Sequence, residues 1–196
     1  ACCVHPSGWS FEGQWQCSDD RFIPSLASAA DIIRENGSQS ILQIHHGGRQ
    51  APSALCGTAV SASPIAAERP NAQVPRELTE PQILELIESY AQACVRAQTA
   101  GFDGVEIHGA NTYLIQQFVS PHSNRRMDRW GEDRNLFSRE VVQACRSAAP
   151  ALAIGYRFSP EEIENPGISI VETTVLLNDL CTLDLDYLHI SLRDGL

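Results

Sequence analysis

The stretch Gly101–Pro121, "GFDGVEIHGANTYLIQQFVSP", joins an apolar strand to a polar turn. Val105 and Ile107 are β-branched residues of the kind that fill a buried strand. His108, Asn111 and Tyr113 follow closely, so an imidazole, an amide and a phenol come where the strand ends. Buried polar groups cost stability unless each finds a partner. This placement therefore indicates a functional site at the carboxyl end of the strand.

Around this stretch, predicted strands and helices alternate along the chain. A capping box formed by Thr79 and Gln82 marks the start of one helix. The predicted strands are Ser40–Ile44, Phe102–His108, Ala151–Phe158 and Asp186–Ser191, with a strand-like tail at Ala1–Val4. The predicted helices are Pro24–Gly37, Thr79–Gly101, Leu136–Pro150 and Ser169–Asp184. Near-continuous apolar strands separated by helices predict an α/β fold with a parallel sheet.

Polar residues at the strand ends distinguish two topologies, an open doubly wound sheet and a (β/α)₈ TIM barrel. Side chains of this kind end four different strands, as a barrel active site requires. They are His45, His46, His108, Arg157 and Ser191. The glycine fingerprint of an open dinucleotide-binding sheet is absent. Because a barrel typically needs about 250 residues, we expect residues 1–196 to form one partial barrel domain, as a fragment of a longer protein.

Composition excludes several classes of function. A net charge of −10 disfavours a nucleic-acid partner or an anionic membrane surface. No apolar run approaches the roughly 20 residues of a transmembrane helix. The seven cysteines contain no CxxC pair, which favours reduced thiols in a cytoplasmic protein over a zinc site or disulfides. The chain has no lysine, and both Schiff-base chemistry and P-loop phosphate binding need one.

Three motifs carry a resemblance to a known family. They are "ILQIHHGGRQAP", "FDGVEIHGANTYLIQQFVSPHSNRRMDRWG" and "YRFSPEE". The chain resembles the Old Yellow Enzyme family of FMN-dependent oxidoreductases, particularly its NADH:flavin oxidoreductase and 2,4-dienoyl-CoA-reductase-like branch. The resemblance implies an FMN-binding barrel of which this chain covers strands two to six. It also implies an ene-reductase, in which NADH or NADPH reduces the flavin and a hydride passes to the activated C=C bond of an α,β-unsaturated carbonyl.

The resemblance also implies roles for individual residues. His108 and Asn111 match the pair that binds the carbonyl or nitro oxygen of a small-molecule substrate, and Tyr113 matches the catalytic tyrosine that protonates the substrate carbon. The residues that match cofactor-binding positions are Gln43 and Arg157 at the flavin ring, and Ala1 as a small residue beside it. Flavin-phosphate contacts are expected after strands seven and eight, which this chain lacks. An inactive fragment is therefore one alternative.

The histidines raise a second alternative, a barrel metal-dependent hydrolase. His45, His46, His108 and His189 lie at three strand ends, where barrel hydrolases bind metal ions. We expect no metal site, because no HxH motif occurs and Glu106 is taken to face away from His108. Of His45 and His46, one is expected to face the pocket and the other to pack in the core. A homo-oligomer remains open.

Two further expectations concern the connections. Ala51–Leu78 contains four prolines, and Asn111–Asp133 is rich in arginine and polar groups, so both are expected to be irregular binding loops or lids. Arg125, Arg126 and Arg129 are expected to form a solvated cluster on the second of these loops.

Overall fold

A computed structural model describes residues 1–192 and contains a five-stranded parallel sheet. Its strands are β1 Cys2–Cys3, β2 Ile41–His45, β5 Gly104–Gly109, β6 Ala153–Phe158 and β7 Tyr187–Ile190, while β3 Val60–Ser61 and β4 Arg76–Glu77 form a separate pair. The five strands stand in the order β1-β2-β5-β6-β7, and each connection between neighbours passes through helical segments. Each of the five strands lies within a residue or two of its predicted position. The predicted α/β class and parallel sheet are therefore confirmed.

The major helices also follow the prediction. The α-helices are α1 Ile23–Arg34, α2 Ser53–Cys56, α3 Glu80–Thr99, α4 Leu114–Val119, α5 Arg129–Glu132, α6 Leu136–Ala148 and α7 Ile170–Leu180. The capping box of Thr79 and Gln82 begins α3, as expected, and Ser169 and Glu172 form a second one at α7. No helix within the described part of the chain is long and apolar enough to cross a membrane.

Helices α3 and α6 cover the outer face of the sheet. Val105 and Ile107 of β5 and Ile154 of β6 are fully buried against this layer. Tyr90 of α3 and Phe137 of α6 are buried in the same core. Burying one such side chain contributes about 1.5–3 kcal/mol, so this layer holds the central strands, and with them the site, in a fixed position.

The two connections expected to be irregular contain regular structure, so that expectation was wrong. The first includes α2 and the short parallel strands β3 Val60–Ser61 and β4 Arg76–Glu77. The second includes α4, in which all six residues are buried, and α5. The expectation that Arg126 belongs to a solvated cluster was also wrong. Its guanidinium is buried and donates to the carbonyls of Ala62 and Leu78 at 3.0 and 2.7 Å.

The register of the sheet decides which side chains share its inner face. Gln43 lies opposite Glu106, His108 opposite Arg157, and Arg157 opposite His189. Residues two apart on a strand point to the same face. Glu106 therefore faces the same side as His108, and the expectation that it faces away was wrong.

Candidate active site

His108, the last residue but one of β5, is a buried, neutral imidazole. Burial, followed by the positive charge of Arg157, lowers its pKa to about 4. The backbone N–H of Ala110 donates to His108 Nδ1 at 3.3 Å, so the ring proton of the neutral form is on Nε2. His108 therefore offers one N–H donor at the carboxyl end of the sheet without bringing a positive charge.

Asn111 and Thr112 form a left-handed turn that follows β5. Their φ angles are 57° and 60°, a conformation that L residues, and β-branched threonine above all, rarely adopt. Two glutamines of α4 hold the turn. Gln116 Oε1 accepts from the N–H of Thr112 at 2.9 Å, and Gln117 Nε2 donates to the carbonyl of Thr112 at 2.7 Å. These hydrogen bonds offset the conformational strain, which typically costs about 1–3 kcal/mol.

The amide of Asn111 is oriented by a chain of hydrogen bonds from two other strand ends. Arg157 Nη2 donates to Ser191 Oγ at 3.0 Å, and Ser191 Oγ donates to Asn111 Oδ1 at 2.9 Å. Because the arginine occupies the hydroxyl as an acceptor, the serine proton is directed to the asparagine oxygen. No described residue accepts a hydrogen bond from Asn111 Nδ2, which is thus left as a second N–H donor at the same rim.

Tyr113 completes a group that we call the rim triad, which consists of His108, Asn111 and Tyr113. The tyrosine ring meets the His108 ring edge to face, with centroids 5.0 Å apart. It meets the His45 ring in the same manner at 4.2 Å. Within residues 1–192 no side chain forms a hydrogen bond with the Tyr113 hydroxyl, so the phenol proton is available to a ligand.

His45 and His46 have the divided roles that the sequence predicted. His45 contacts the rim triad through the His108 ring. Ser10 Oγ gives its proton to the carbonyl of Gly8, so it accepts the hydrogen bond from His45 Nε2 at 2.9 Å. His46 packs in the interior, where its Nε2 forms a hydrogen bond with Ser7 Oγ at 3.0 Å, and burial lowers the pKa of His46 to about 3. Burial also lowers the pKa of His45 well below its ordinary value. Both rings are therefore neutral.

A second polar group, the Glu106 cluster, lies on the inner face one step further from the rim. It consists of Gln43, Glu106, Tyr187 and His189. Gln43 Nε2 donates to Glu106 Oε1 at 2.6 Å, and His189 Nδ1 is 2.8 Å from Glu106 Oε2. The phenol of Tyr187 also interacts with the carboxylate. The residue pattern gave one usable signal for this cluster, the two-residue spacing between Glu106 and His108.

Arg157 lies beside His108 on the inner face, whereas Ala1 lies beside Gln43 at the edge of the sheet. Arg157 is half-buried, and its Nε is fully buried with no hydrogen-bond partner among residues 1–192. Ala1 and Gln43 line one cavity of about 390 Å³ beside β1 and β2. The structure thus brings His108, Asn111, Tyr113 and Arg157 to one rim and Gln43 to the same face beside Glu106, whereas Ala1 shares a cavity only with Gln43 among these residues. The sequence had marked Ser191 only as a polar strand end, and Glu106 and His189 only in connection with a metal site. No group of three or more metal-binding side chains occurs in the described part of the chain.

Comparison with known proteins extends these observations. A family model described as "NADH:flavin oxidoreductase / NADH oxidase family" matches residues 1–194. The "NADH:acrylate oxidoreductase" of Vibrio harveyi is 50% identical over 98% of this chain and 20% of that protein. The "Probable NADH-dependent flavin oxidoreductase YqiG" of Bacillus subtilis is 44% identical over 97% of this chain and 54% of that protein. The solved structure of morphinone reductase has a TM-score of 0.90 at 26% identity, over 100% of this chain and 59% of that one.

Fold, site and similarity together define a class, the α/β-barrel oxidoreductases whose site is built at the carboxyl ends of parallel strands. The chain belongs to the NADH:flavin oxidoreductase / NADH oxidase family. The resemblance to Old Yellow Enzymes is confirmed, since an old yellow enzyme homologue from Zymomonas mobilis also superimposes with a TM-score of 0.88. The chain spans about a fifth to three fifths of the relatives and solved structures that it matches. It therefore corresponds to part of their barrel.

The residues present fit the isoalloxazine ring of FMN, which the family implies. The buried Nε of Arg157 is a cationic donor that lacks a partner among the described residues, and a partner is expected of a buried polar atom. Gln43 Nε2 donates a hydrogen bond to Glu106, while no described residue donates to Gln43 Oε1. A permanent cation and a free amide oxygen suit a ring that carries carbonyl oxygens, an imide N–H and, when reduced, negative charge.

Proposed function

We propose that this chain supplies the catalytic face of an FMN-dependent, NAD(P)H-oxidising ene-reductase. The substrate class is a small molecule with a C=C bond activated by a carbonyl or similar group. The observation that carries this proposal is the rim triad, in which His108 Nε2–H, Asn111 Nδ2 and the Tyr113 hydroxyl have no hydrogen-bond partner among the described residues. Family membership supports an oxidoreductase over the metal-dependent hydrolase considered from the sequence.

His108 and Asn111 bind the oxygen of the substrate in this proposal. Hydride addition at the β-carbon of an enone pushes negative charge onto the carbonyl oxygen. Two preorganised N–H donors stabilise that charge as an oxyanion hole does, and each donor is typically worth about 2.7–4 kcal/mol. Neutral His108 suits this task, because it binds the oxygen as a donor and keeps its own proton.

Tyr113 donates the proton that completes the reaction at the α-carbon. Its hydroxyl has no hydrogen-bond partner among the described residues, and its ring is held in place between His45 and His108. General-acid catalysis of this kind typically contributes about 10²–10⁴-fold. The His45 ring, itself neutral, packs against the tyrosine without competing for the substrate oxygen.

Gln43, Arg157 and Ala1 hold the flavin ring in the proposed enzyme. When bound, FMN supplies the hydride chemistry, accepting from NADH or NADPH and delivering to the substrate. Gln43 provides amide hydrogen bonding and Arg157 provides a permanent positive charge, while Ala1 offers a small surface next to Gln43. The protein as proposed acts in the cytoplasm, where reduced nicotinamide nucleotides are available, and its assembly into a homo-oligomer is left open.

We infer that the activity belongs to a longer polypeptide, called here the complete enzyme, in which further strands close the barrel. The outer edge of β7 supports this inference. Leu188, Ile190 and Leu192 on and beside that strand are 37%, 58% and 64% exposed, a large apolar area for the edge of a sheet. The 196 residues alone are accordingly expected to aggregate and to bind FMN weakly.

The proposal is tested by purifying the complete enzyme and releasing any ligand with heat. We expect the supernatant to show flavin absorbance at about one FMN per chain, either as purified or after reconstitution with FMN. We also expect the reconstituted enzyme to oxidise NADH or NADPH faster when an enone such as cyclohexenone is added anaerobically. Protein that stays colourless after reconstitution contradicts the proposal.

A further inference from the structure

Glu106 is a buried carboxylate at the centre of the Glu106 cluster, and the proposed reaction gives it no role. It is 7% exposed and lies two residues before His108 on the same face of β5. Gln43 of β2 and His189 of β7 contact its two oxygens, one on each side, at 2.6 and 2.8 Å. Three strands therefore converge on one negative charge inside the barrel.

The charge state of Glu106 fixes the direction of its hydrogen bonds. Burial alone would raise the pKa of the carboxyl, but hydrogen bonds from Gln43 and His189 hold it below its ordinary value. Glu106 is thus ionised at neutral pH, and a carboxylate can only accept hydrogen bonds. Gln43 must then present its NH₂ group to Glu106, because the flipped amide would place two oxygens against each other.

This orientation leaves a specific pair of groups on Gln43. One N–H is used by Glu106, and since no other described residue bonds the amide, the second N–H and Oε1 remain for a ligand. The imide edge of a flavin carries one N–H donor flanked by two carbonyl acceptors, and it matches an adjacent acceptor and donor. A freely rotating amide would offer this pattern only part of the time, whereas a fixed amide offers it in the unbound protein.

We propose that Glu106 is a positioning residue that fixes the Gln43 amide in the orientation required at the pyrimidine edge of the flavin. The inference rests on the proposed function, since it takes FMN as the ligand of Gln43. Glu106 acts through Gln43 and need not touch the flavin itself. His189, on the second oxygen, keeps the carboxylate from rotating away from Gln43.

A double-mutant cycle tests this role directly. Apoprotein of the complete enzyme is titrated with FMN by fluorescence quenching, with Glu106→Gln made in the native background and in a Gln43→Ala background. A hydrogen bond to a charged group is typically worth enough to change affinity by about tenfold or more. We expect E106Q to weaken FMN binding about tenfold in the native background and less than about threefold where Gln43 is absent.

Glu88→Gln is the matched control, because Glu88 accepts from Gln92 at 2.7 Å in an equivalent pair on the exposed face of α3. We expect E88Q to leave FMN affinity and the visible spectrum of bound FMN unchanged, while E106Q shifts that spectrum. Apoprotein melting checks the fold, and Glu106→Asp is judged by the same cycle if E106Q is unstable.

Three results overturn the inference. They are an unchanged affinity in E106Q, an equal loss in both backgrounds, or an unchanged flavin spectrum. Wild-type apoprotein that does not bind FMN at all would instead refute the proposed function, and this inference with it. Tight binding by wild type combined with equal losses in both backgrounds would refute the role of Glu106 alone.

Discussion

The rim triad and the Glu106 cluster occupy the same inner face, with His108 and Glu106 two residues apart on β5, yet their hydrogen bonds are used in opposite ways. Both oxygens of Glu106 have partners inside the protein. At the rim, His108 Nε2–H and Asn111 Nδ2 have no hydrogen-bond partner within residues 1–192 and are left over. Internal partners therefore position a residue, whereas groups that the protein leaves without partners are the ones available to act on a ligand.

Removing both left-over donors is the most damaging change that this comparison predicts. The double variant His108→Ala/Asn111→Ala should slow the oxidation of chemically reduced complete enzyme by cyclohexenone about 10⁴-fold or more, because each oxyanion donor is typically worth 10²–10³. Stopped-flow absorbance of the flavin measures the rate, and chemical reduction removes any dependence on NAD(P)H. A loss below about tenfold would mean that the substrate oxygen binds elsewhere.

Tyr113→Phe should have the next largest effect. The ring and its packing against His45 and His108 are kept and only the hydroxyl is lost. Enone reduction should fall about 10²–10⁴-fold, the usual contribution of a general acid. Nitroalkenes should be affected far less, since their nitronate product is stable before it is protonated. Equal rates for wild type and variant with enones would assign the proton to water or to another residue.

The neutral state of His108 predicts a pH dependence of stability. Its pKa is about 4 in the folded protein, whereas that of an unfolded histidine is about 6.5. Between these values the unfolded state binds one more proton, so the stabilisation is complete above about pH 6.5 and is lost as the pH falls toward 4. His108→Asn should reduce the uptake on unfolding by about one proton. Between these pH values, the pH dependence of the unfolding constant should therefore be weaker in the variant by about tenfold per pH unit.

Denaturant unfolding of wild type and His108→Asn at pH 7, 6 and 5 measures this difference. His46, with a pKa of about 3, should keep part of the acid sensitivity in the variant. Parallel stability curves for the two proteins would contradict a neutral His108.

Ser191→Ala should have the smallest effect of the set. The alanine variant removes the donor to Asn111 Oδ1, so the amide can flip and its Nδ2 is no longer directed to the ligand. A neutral hydrogen bond is worth about 0.5–1.5 kcal/mol, which corresponds to roughly a two- to tenfold weaker binding of a phenol. Calorimetric titration measures it, and Ser89→Ala on the surface of α3 is the control. An effect as small as that of the control would show that Asn111 is oriented by other groups.

Much of the fold was predictable because its signals are local. Apolar strands, the capping box at Thr79 and the polar residues at the strand ends all lie within short stretches of sequence. Helix α4 was missed because all six of its residues are buried, including Gln116 and Gln117, so it lacks the one-sided apolar period of a surface helix. Its glutamines serve the turn at Thr112, which no helical pattern reveals.

The site was predictable to a different extent. The rim triad is compressed into one stretch of sequence and was identified from it, although the roles of its members stay predictions. The Glu106 cluster depends on the register between β2, β5 and β7, which brings together residues from positions 43 to 189. The two-residue spacing of Glu106 and His108 puts both on one face, which the prediction misread, and no spacing could identify Gln43 and His189 as partners.

The most direct test of the comparison is the ionisation of a phenol bound at the rim. The donors left over on His108 and Asn111, with Arg157 nearby, should stabilise an anionic oxygen. Titrating oxidised, FMN-loaded complete enzyme with p-nitrophenol reports this through the absorbance of the phenolate itself. We predict binding of one phenol per site, a pKa of the bound phenol below its value in water, and loss of both effects in His108→Ala/Asn111→Ala. Binding of the neutral phenol, or an equal pKa shift in the double variant, would contradict the account.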